Sequence, residues 1–284
     1  MSQNKLLQIQ DVYKSYDGKT ILRNIDLTIN KGEFCSLVGP SGCGKSTLLK
    51  MVLGQEMPDK GKILLNDKSI SLPDPRRGVV YQKYSLFPHL TVLENVMLGP
   101  SYLGIKGKEA TKAQIKEEAF YFLERVRLKD SANKYPSQLS GGMQQRVAIA
   151  QTLIANPEIL LMDEPFGALD PDTREEVQLF LLELWEELNL TILFVTHSLE
   201  EACFVGTRLI ALSQYYNSGD NFYNHGATII EDHKLSSVAS STELKHNPEF
   251  QELIRDVRSK AFDPDVLQHV KDFNLTHPDS YRTE

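Results

Sequence analysis

The sequence predicts an α/β fold: a core built on a parallel sheet, with a small antiparallel β subdomain and an inserted α-helical subdomain. Three observations predict it. The stretch GEFCSLVG, ending at Gly39, is a short apolar run bounded by glycines, as buried parallel strands are, and it leads through GPSGCGKST into the helical spacing of TLLKMVLG. Between Leu6 and Asn30, LLQIQDV and ILRNIDLTI alternate in strand fashion around Asp17-Gly18, a hairpin signal. From about Lys106 to Lys134 the chain turns polar and helical, marking a helical insert of residues 88–155.

Taken in order, the N-terminal hairpin forms the antiparallel subdomain. Tyr16 sits at the mouth of its turn, where an aromatic either packs on the core or stands out as a stacking platform. Gly39 to Thr47 fits G-x-x-x-x-G-K-[ST], a turn that wraps a polyphosphate in backbone N–H groups. Gly39, Gly42 and Gly44 permit close approach, and Ser41, Cys43 and Thr47 complete the run. Lys45 supplies a mobile positive charge for the β- and γ-phosphates, and Ser46 a hydroxyl for Mg²⁺ at the positive end of the following helix.

GKILLND and RRGVVYQ repeat the strand pattern, the second ending on Gln82, either a surface amide or a ligand for metal and water. A helix is expected from near Thr91, then another whose apolar face carries Phe120, Leu123, Val126 and Leu128. The insert closes on LSGGMQQR, Leu139 to Arg146. There Ser140, Gly141 and Gly142 precede a helix, so bare amides and a hydroxyl again face an anion, with Gln144 in the same motif. ILLMDEP follows, an apolar strand ending in two carboxylates. Strand alternation sends Asp163 and Glu164 in different directions, the first toward Mg²⁺ through its water shell, the second toward the attacking water. FGALDPDTR then turns into a helix from about Thr173 to Leu188, and TILFVTH places His197 at the end of another buried strand. Gln82, Asp163 with Glu164, and His197 are expected along one edge of the parallel sheet, where such sheets bind ligands.

Composition bounds the partners. The chain has 284 residues, an ordinary globular make-up and a net charge of −7, with no basic footprint for nucleic acid. Three cysteines, Cys35, Cys43 and Cys203, lack metal-ligand spacing and suit a reducing compartment. The N-terminus lacks the apolar core of a signal peptide, and no apolar run approaches the roughly 20 residues that span a bilayer, so a soluble, cytoplasmic protein is expected.

GPSGCGKST, the glutamine after VVY, LSGGMQQR, ILLMDE, ALD and VTH, in that order, resemble the ATP-binding subunits of ABC transporters from about Leu6 to Leu235. The resemblance implies a P-loop NTPase (RecA-like) core in an ATP-binding domain of residues 1–235, with ATP as substrate and Mg²⁺ as cofactor. It implies that Tyr16 stacks on adenine, Gln82 contacts Mg²⁺ and reports to the membrane partner, and His197 holds the γ-phosphate. It also implies that LSGGM binds the ATP of a second copy of the chain, with Ala168, Leu169 and Asp170 lining the seam. Within the family, SLFPHLTVLENVMLG and EPFGALDPDTREEVQ look like importer subunits for nitrate, sulfonate, taurine and similar solutes. Such subunits lie on the inner face of the cell membrane against integral permease subunits, served indirectly by an extracytoplasmic solute-binding protein.

The chain departs from the pattern at SQYYNSGDNFYNHGATI, expected to be a longer hairpin loop over residues 213–226, and in an extension over 236–284 expected to form short helices in EFQELIRDVRSK and PDVLQHVKDF. Two rival functions would leave other marks in the sequence. A non-transport relative acting on ribosomes or DNA would carry two cassettes or a long coiled coil, and a small GTPase would carry a guanine-reading NKxD element. Neither pattern is found.

Overall fold

The computed structural model describes residues 4–103, 111–217, 226–235, 245, 247–269 and 273–275. The chain divides into two compact units, the first formed by Met1–Pro73 with Asn189–Glu284 and the second by Asp74–Leu188.

The first unit opens with β1 (Lys5–Tyr16) and β2 (Lys19–Asn30), antiparallel from Tyr16↔Lys19 to Lys5↔Asn30. Asp17 and Gly18 between them have φ of 49° and 78°, the two positive values that a two-residue turn matching strand twist requires. The fully buried β3 (Phe34–Val38) leads into α1 (Lys45–Leu53), and β4 (Lys60–Leu65) with β5 (Lys68–Ser69) completes a sheet of order β2-β1-β4-β5.

The second unit runs through β6 (Arg77–Tyr81), α2 (Val92–Leu103), α3 (Lys112–Arg125), α4 (Gly141–Leu153), β7 (Ile159–Asp163) and α5 (Pro171–Leu188). β6 and β7 are parallel, from Arg77↔Ile159 to Tyr81↔Asp163. Thr91 and Glu94 cap α2 reciprocally, and Thr111 and Gln114 do the same for α3. α3 buries Ile115, Ala119 and Leu123; of the expected face, Val126 and Leu128 are buried beyond the helix end and Phe120 is half-buried. The break comes where Arg127 takes φ 59°. α5 starts two residues before the expected Thr173, because Asp170 Oδ1 accepts from the Thr173 amide at 3.0 Å and Pro171 fills the first helical position.

Returning to the first unit, β8 (Ile192–Val195), α6 (Leu199–Val205), β9 (Arg208–Ser213), β10 (Tyr216–Asn217), β11 (Thr228–Lys234), α7 (Pro248–Phe262), β12 (Gln268–His269) and β13 (Asn274–Leu275) follow. β3 lies between β8 and β9 and is parallel to both, with Phe34↔Ile192 and Cys35↔Arg208 in register. β9 pairs antiparallel with β11 from Ser213↔Thr228, as expected of a hairpin with a long connection, whose residues 218–225 lie outside the described residues.

The extension differs from expectation. EFQELIRDVRSK forms α7, which buries Phe250, Ile254, Val257 and Ala261 along one stripe. In PDVLQHVKDF the described residues 264–269 hold a turn and β12 rather than a helix. Pro264 disfavours helical geometry at Asp263, and the Asp263 carboxylate accepts from the Asp265 amide at 2.9 Å, closing a turn. β12 then pairs with β10, and Tyr216 meets Phe273 edge to face at 5.5 Å. The start of the inserted loop is thus partnered by β12 and Phe273 of the extension. Residues 236–244 and 276–284 of the extension lie outside the described residues.

Candidate nucleotide site

In the first unit, β3 delivers the chain into Gly39–Thr47. A Cβ on Gly39 would stand 2.2 Å from the Leu212 carbonyl oxygen and 2.7 Å from Cys43 Sγ, so only glycine fits. Gly42 has open space around it but φ 79°, so there glycine is needed for conformation. Gly44, at φ 98°, lies against Ile21 and Leu22 of β2. The Lys45 ammonium lies across the loop, donating to the carbonyls of Gly39 at 2.7 Å and Pro40 at 3.1 Å, and the side chain is 7% exposed. Cys43 is buried and burial pushes its thiol up, although Lys45 opposes this, so its contribution to an anion is its amide. Ser41 and Ser46 are exposed and Thr47 half-buried. A turn of amides around a buried cation, with serine hydroxyls in reach of solvent, fits a triphosphate and its Mg²⁺.

Tyr16 is 40% exposed, which removes the core-packing alternative. Its hydroxyl donates to Glu56 and Lys14 Nζ stands 5.2 Å from the ring centroid. His197 is exposed two residues beyond β8, and because β8 is parallel to β3 it leaves the sheet at the same end as Gly39. The turn that carries it is held from both sides. Thr196 Oγ1 donates to buried Glu201 at 2.8 Å, accepts from the Ser198 amide at 3.1 Å, and Ser198 caps α6 through the Glu201 amide.

In the second unit, β6 and β7 being parallel brings Gln82 and Asp163–Glu164 to the same strand ends. Asp163 closes β7, but Glu164 has φ 48°, so the alternation argument stops at Asp163 and a turn sets the direction of Glu164. That turn closes through the Gly167 amide, which donates to the Glu164 carbonyl at 3.1 Å. Gln82 is exposed and its amide lies over Gly167, where a Cβ would stand 2.7 Å from Nε2. Ala168 and Asp170 are exposed, and Leu169 is buried. The Thr173 amide holds the Asp170 carboxyl below its usual value.

Ser140 caps α4, accepting from the Met143 amide at 3.3 Å. Gly141 follows at the first helical position, among the amides a helix leaves without an intrahelical acceptor. Gly142 has a packing role that sequence reasoning missed: a Cβ would stand 2.5 Å from Thr173 Cγ2, so its absence lets α4 meet α5. Gln144 turns its amide to the carbonyls of Pro136 at 3.0 Å and Leu139 at 3.2 Å, fixing the loop before the helix.

Sequence reasoning also passed over two supports. Asn95, fully buried, accepts from the Phe87 amide at 2.8 Å and donates to Phe87, Leu90 and Thr91 carbonyls, stapling the loop after Gln82 to α2. Its signal was a lone amide in the apolar run VLENVML. Arg208, also fully buried, forks onto Asp232 at 2.8 and 2.7 Å and reaches the Thr28 carbonyl at 2.6 Å and Glu33 at 3.3 Å. It ties β2, the start of β3, β9 and β11 together.

A phosphate loop on a parallel strand, a second glycine-led helix start and a carboxylate pair closing another strand define a nucleoside-triphosphatase of the cassette class. The comparisons agree. A family profile described as "ABC transporter" matches residues 22–167. The taurine import ATP-binding protein TauB of Escherichia coli strain K12 is 40% identical over 258 residues, covering 91% of this chain and 98% of its own. The bicarbonate transport ATP-binding protein CmpD of a Synechocystis strain is 45% identical over 206 residues, 72% of each. Among solved structures, CbiO1 of Clostridium perfringens, part of the ABC transporter complex CbiONQ, aligns with TM-score 0.71 at 26% identity over 90% of this chain and 95% of its own. The dimeric bacterial ABC transporter cassette MJ0796 aligns with TM-score 0.65 at 36% identity over 82% of this chain and 100% of its own. The chain belongs to the ABC transporter family as an ATP-binding, ATP-hydrolysing subunit. No helix among the described residues is long and apolar enough to cross a membrane.

Proposed function

We propose that two copies of this chain close on two ATP molecules with Mg²⁺ and reopen on hydrolysis, driving import of a small solute through integral permease subunits on which the dimer sits at the inner membrane face. One observation carries the reading: a single chain holds two glycine-led helix starts, Gly39–Thr47 before and into α1 and Ser140–Gly142 at α4, whose open amides suit an anion. In it Tyr16 stacks on adenine, Lys45 neutralises the β- and γ-phosphates, and His197 holds the γ-phosphate. Ser46, Asp163 and Gln82 hold Mg²⁺, which supplies charge neutralisation on the phosphates, and Glu164 orients and polarises the attacking water. Ser140, Gly141 and Gly142, with Gln144 bracing their loop and Asp170 at the seam, receive the γ-phosphate of the second copy's ATP. The names of TauB and CmpD support a small sulfonate or oxyanion solute, which a secreted binding protein would deliver.

The trans arrangement has a direct test by complementation. Lys45→Ala removes the cation of one site and Gly141→Asp puts a negative charge into the other, so neither variant alone dimerises with Mg-ATP. A mixture rebuilds one intact site, from the loop of the Gly141→Asp copy and the signature of the Lys45→Ala copy, and recovers a nucleotide-dependent heterodimer. No recovery from two folded variants contradicts the proposal.

A further inference from the structure

Three stretches of the second unit meet around Gly141. Tyr84 Oη and Leu169 Cδ2 stand 3.0 and 3.2 Å from the position a Cβ on Gly141 would take. Gly141 opens α4 with ordinary helical geometry, so it is space and not conformation that a side chain there would strain, by pressing on Tyr84 and Leu169. Tyr84 is half-buried, and burial alone raises its phenol, so its place is set by packing and not by a charged partner. The loop that carries it also carries Gln82, whose amide presses on Gly167, two residues before Leu169 and bonded to the Glu164 carbonyl. Residues 82–85 therefore rest on the turn after Glu164 through Gln82 and on the start of α4 through Tyr84.

We propose that Tyr84 is a positioning residue for the LSGG motif. Its phenol edge forms one wall of the face that Gly141 presents, Leu169 the other, and the two fix where the Gly141 amide points. A displacement of the Gln82 loop moves that wall, so the same protomer passes it to the surface that receives the second copy's γ-phosphate. Misplacing a phosphate donor by about 1 Å is enough to cost a large share of its effect. The inference rests on the reading that Ser140–Gly142 binds ATP in trans, which the Lys45→Ala and Gly141→Asp mixture tests without touching Tyr84.

The experiment is a double-mutant cycle on Tyr84→Ala and Gly141→Ala, with Tyr84→Phe as the conservative variant. The readouts are the ATP concentration at half-maximal dimerisation, KM and kcat of the ATPase, and binding of a fluorescent ATP analogue by the single subunit. Tyr84→Ala raises the dimerisation midpoint and KM together, roughly tenfold, while kcat at saturating ATP and single-subunit binding hold. Tyr84→Phe keeps the ring but deletes the Oη nearest Gly141, so its midpoint falls between those of the parent and Tyr84→Ala. Gly141→Ala is impaired because its methyl strikes Tyr84, and the double variant is no worse than the poorer single one. A purely structural role would instead lower the active fraction, and kcat with it, leaving KM unchanged. Multiplying effects in the double variant, or a parental midpoint in Tyr84→Ala, overturn the proposal. If Tyr84→Ala loses single-subunit binding, the cycle is run with Tyr84→Leu, which retains bulk without the phenol edge, and is read by the same rule.

Discussion

Replacing Arg208 by alanine removes the charge that neutralises Asp232 at the junction of four strands. The magnitude follows from the geometry. Arg208 has no exposure and Asp232 1%, and the guanidinium makes a two-bonded fork to the carboxylate with further bonds to the Thr28 carbonyl and Glu33. Burial works against the Arg208 charge, yet the Asp232 bond holds its pKa above the usual value. Breaking such a buried pair from one side costs about 3–5 kcal/mol, because the remaining carboxylate stays buried without a counter-charge. Against a total of about 5–15 kcal/mol this is a fifth or more of the stability. At about 2–4 °C per kcal/mol for a chain of this size, the melting temperature falls by roughly 6–20 °C. Removing both partners, as in Arg208→Met with Asp232→Leu, restores most of the loss, since replacing a buried ion pair by apolar side chains is often neutral. Thermal and urea unfolding of the parent and the two variants are the assay. A loss below about 1 kcal/mol for Arg208→Ala, the range of an exposed pair, refutes the reasoning.

Gly142→Ala places a methyl 2.5 Å from Thr173 Cγ2 and costs about 1–3 kcal/mol by overpacking, and Thr173→Ser, which deletes that methyl, recovers part of it in urea unfolding. The docking of α7 has a pH window. Burial raises the Glu231 carboxyl, but hydrogen bonds from His233 and Gln268 and the charge of Lys260 hold it net below its usual 4.5. Its contribution is complete above that value and is lost as pH falls through the lowered one. Burial lowers Lys260, but Asp256 and Glu231 hold it net above 10.5, so its contribution is complete below that and lost as pH rises through the raised value. Amide protection in α7, corrected for intrinsic exchange, therefore loses the Glu231 contribution at the acid end and the Lys260 contribution at the alkaline end, and Glu231→Gln lowers it by about 1–3 kcal/mol. Protection that is unchanged in the variant counts against this.

The phosphate loop was legible because its glycines answer local demands: space at Gly39, a left-handed turn at Gly42. The hairpin was legible for the same reason, since Asp17-Gly18 supplies both positive φ values. Tyr16 was not, because exposure at a strand end is decided by what else covers the sheet. Glu164 misled, since a non-glycine residue at φ 48° breaks an alternation that the apolar pattern of ILLMDE implies. The union of Tyr216 and β10 with β12 and Phe273 joins segments about fifty residues apart through two paired residues on each side, too short for a periodic pattern. Arg208 and Asp232 carry no signal in the sequence, and only their pairing across β9 and β11 buries them. Gly142 was read as an amide donor when its missing side chain also serves α5, because one glycine can answer a conformational and a packing demand at once.

In the proposed mechanism Glu164 polarises the water that attacks an ATP held by two copies of the chain. The most direct measurement takes ATPase rate and oligomeric state from one sample of Glu164→Gln with Mg-ATP. The amide keeps the size and much of the hydrogen bonding of the carboxylate but removes the base, so turnover falls by roughly a hundredfold or more. ATP binding survives, and with hydrolysis blocked and a negative charge removed beside the triphosphate, an ATP-bound dimer accumulates, seen by light scattering. Near-parental turnover with a monomer throughout contradicts the account.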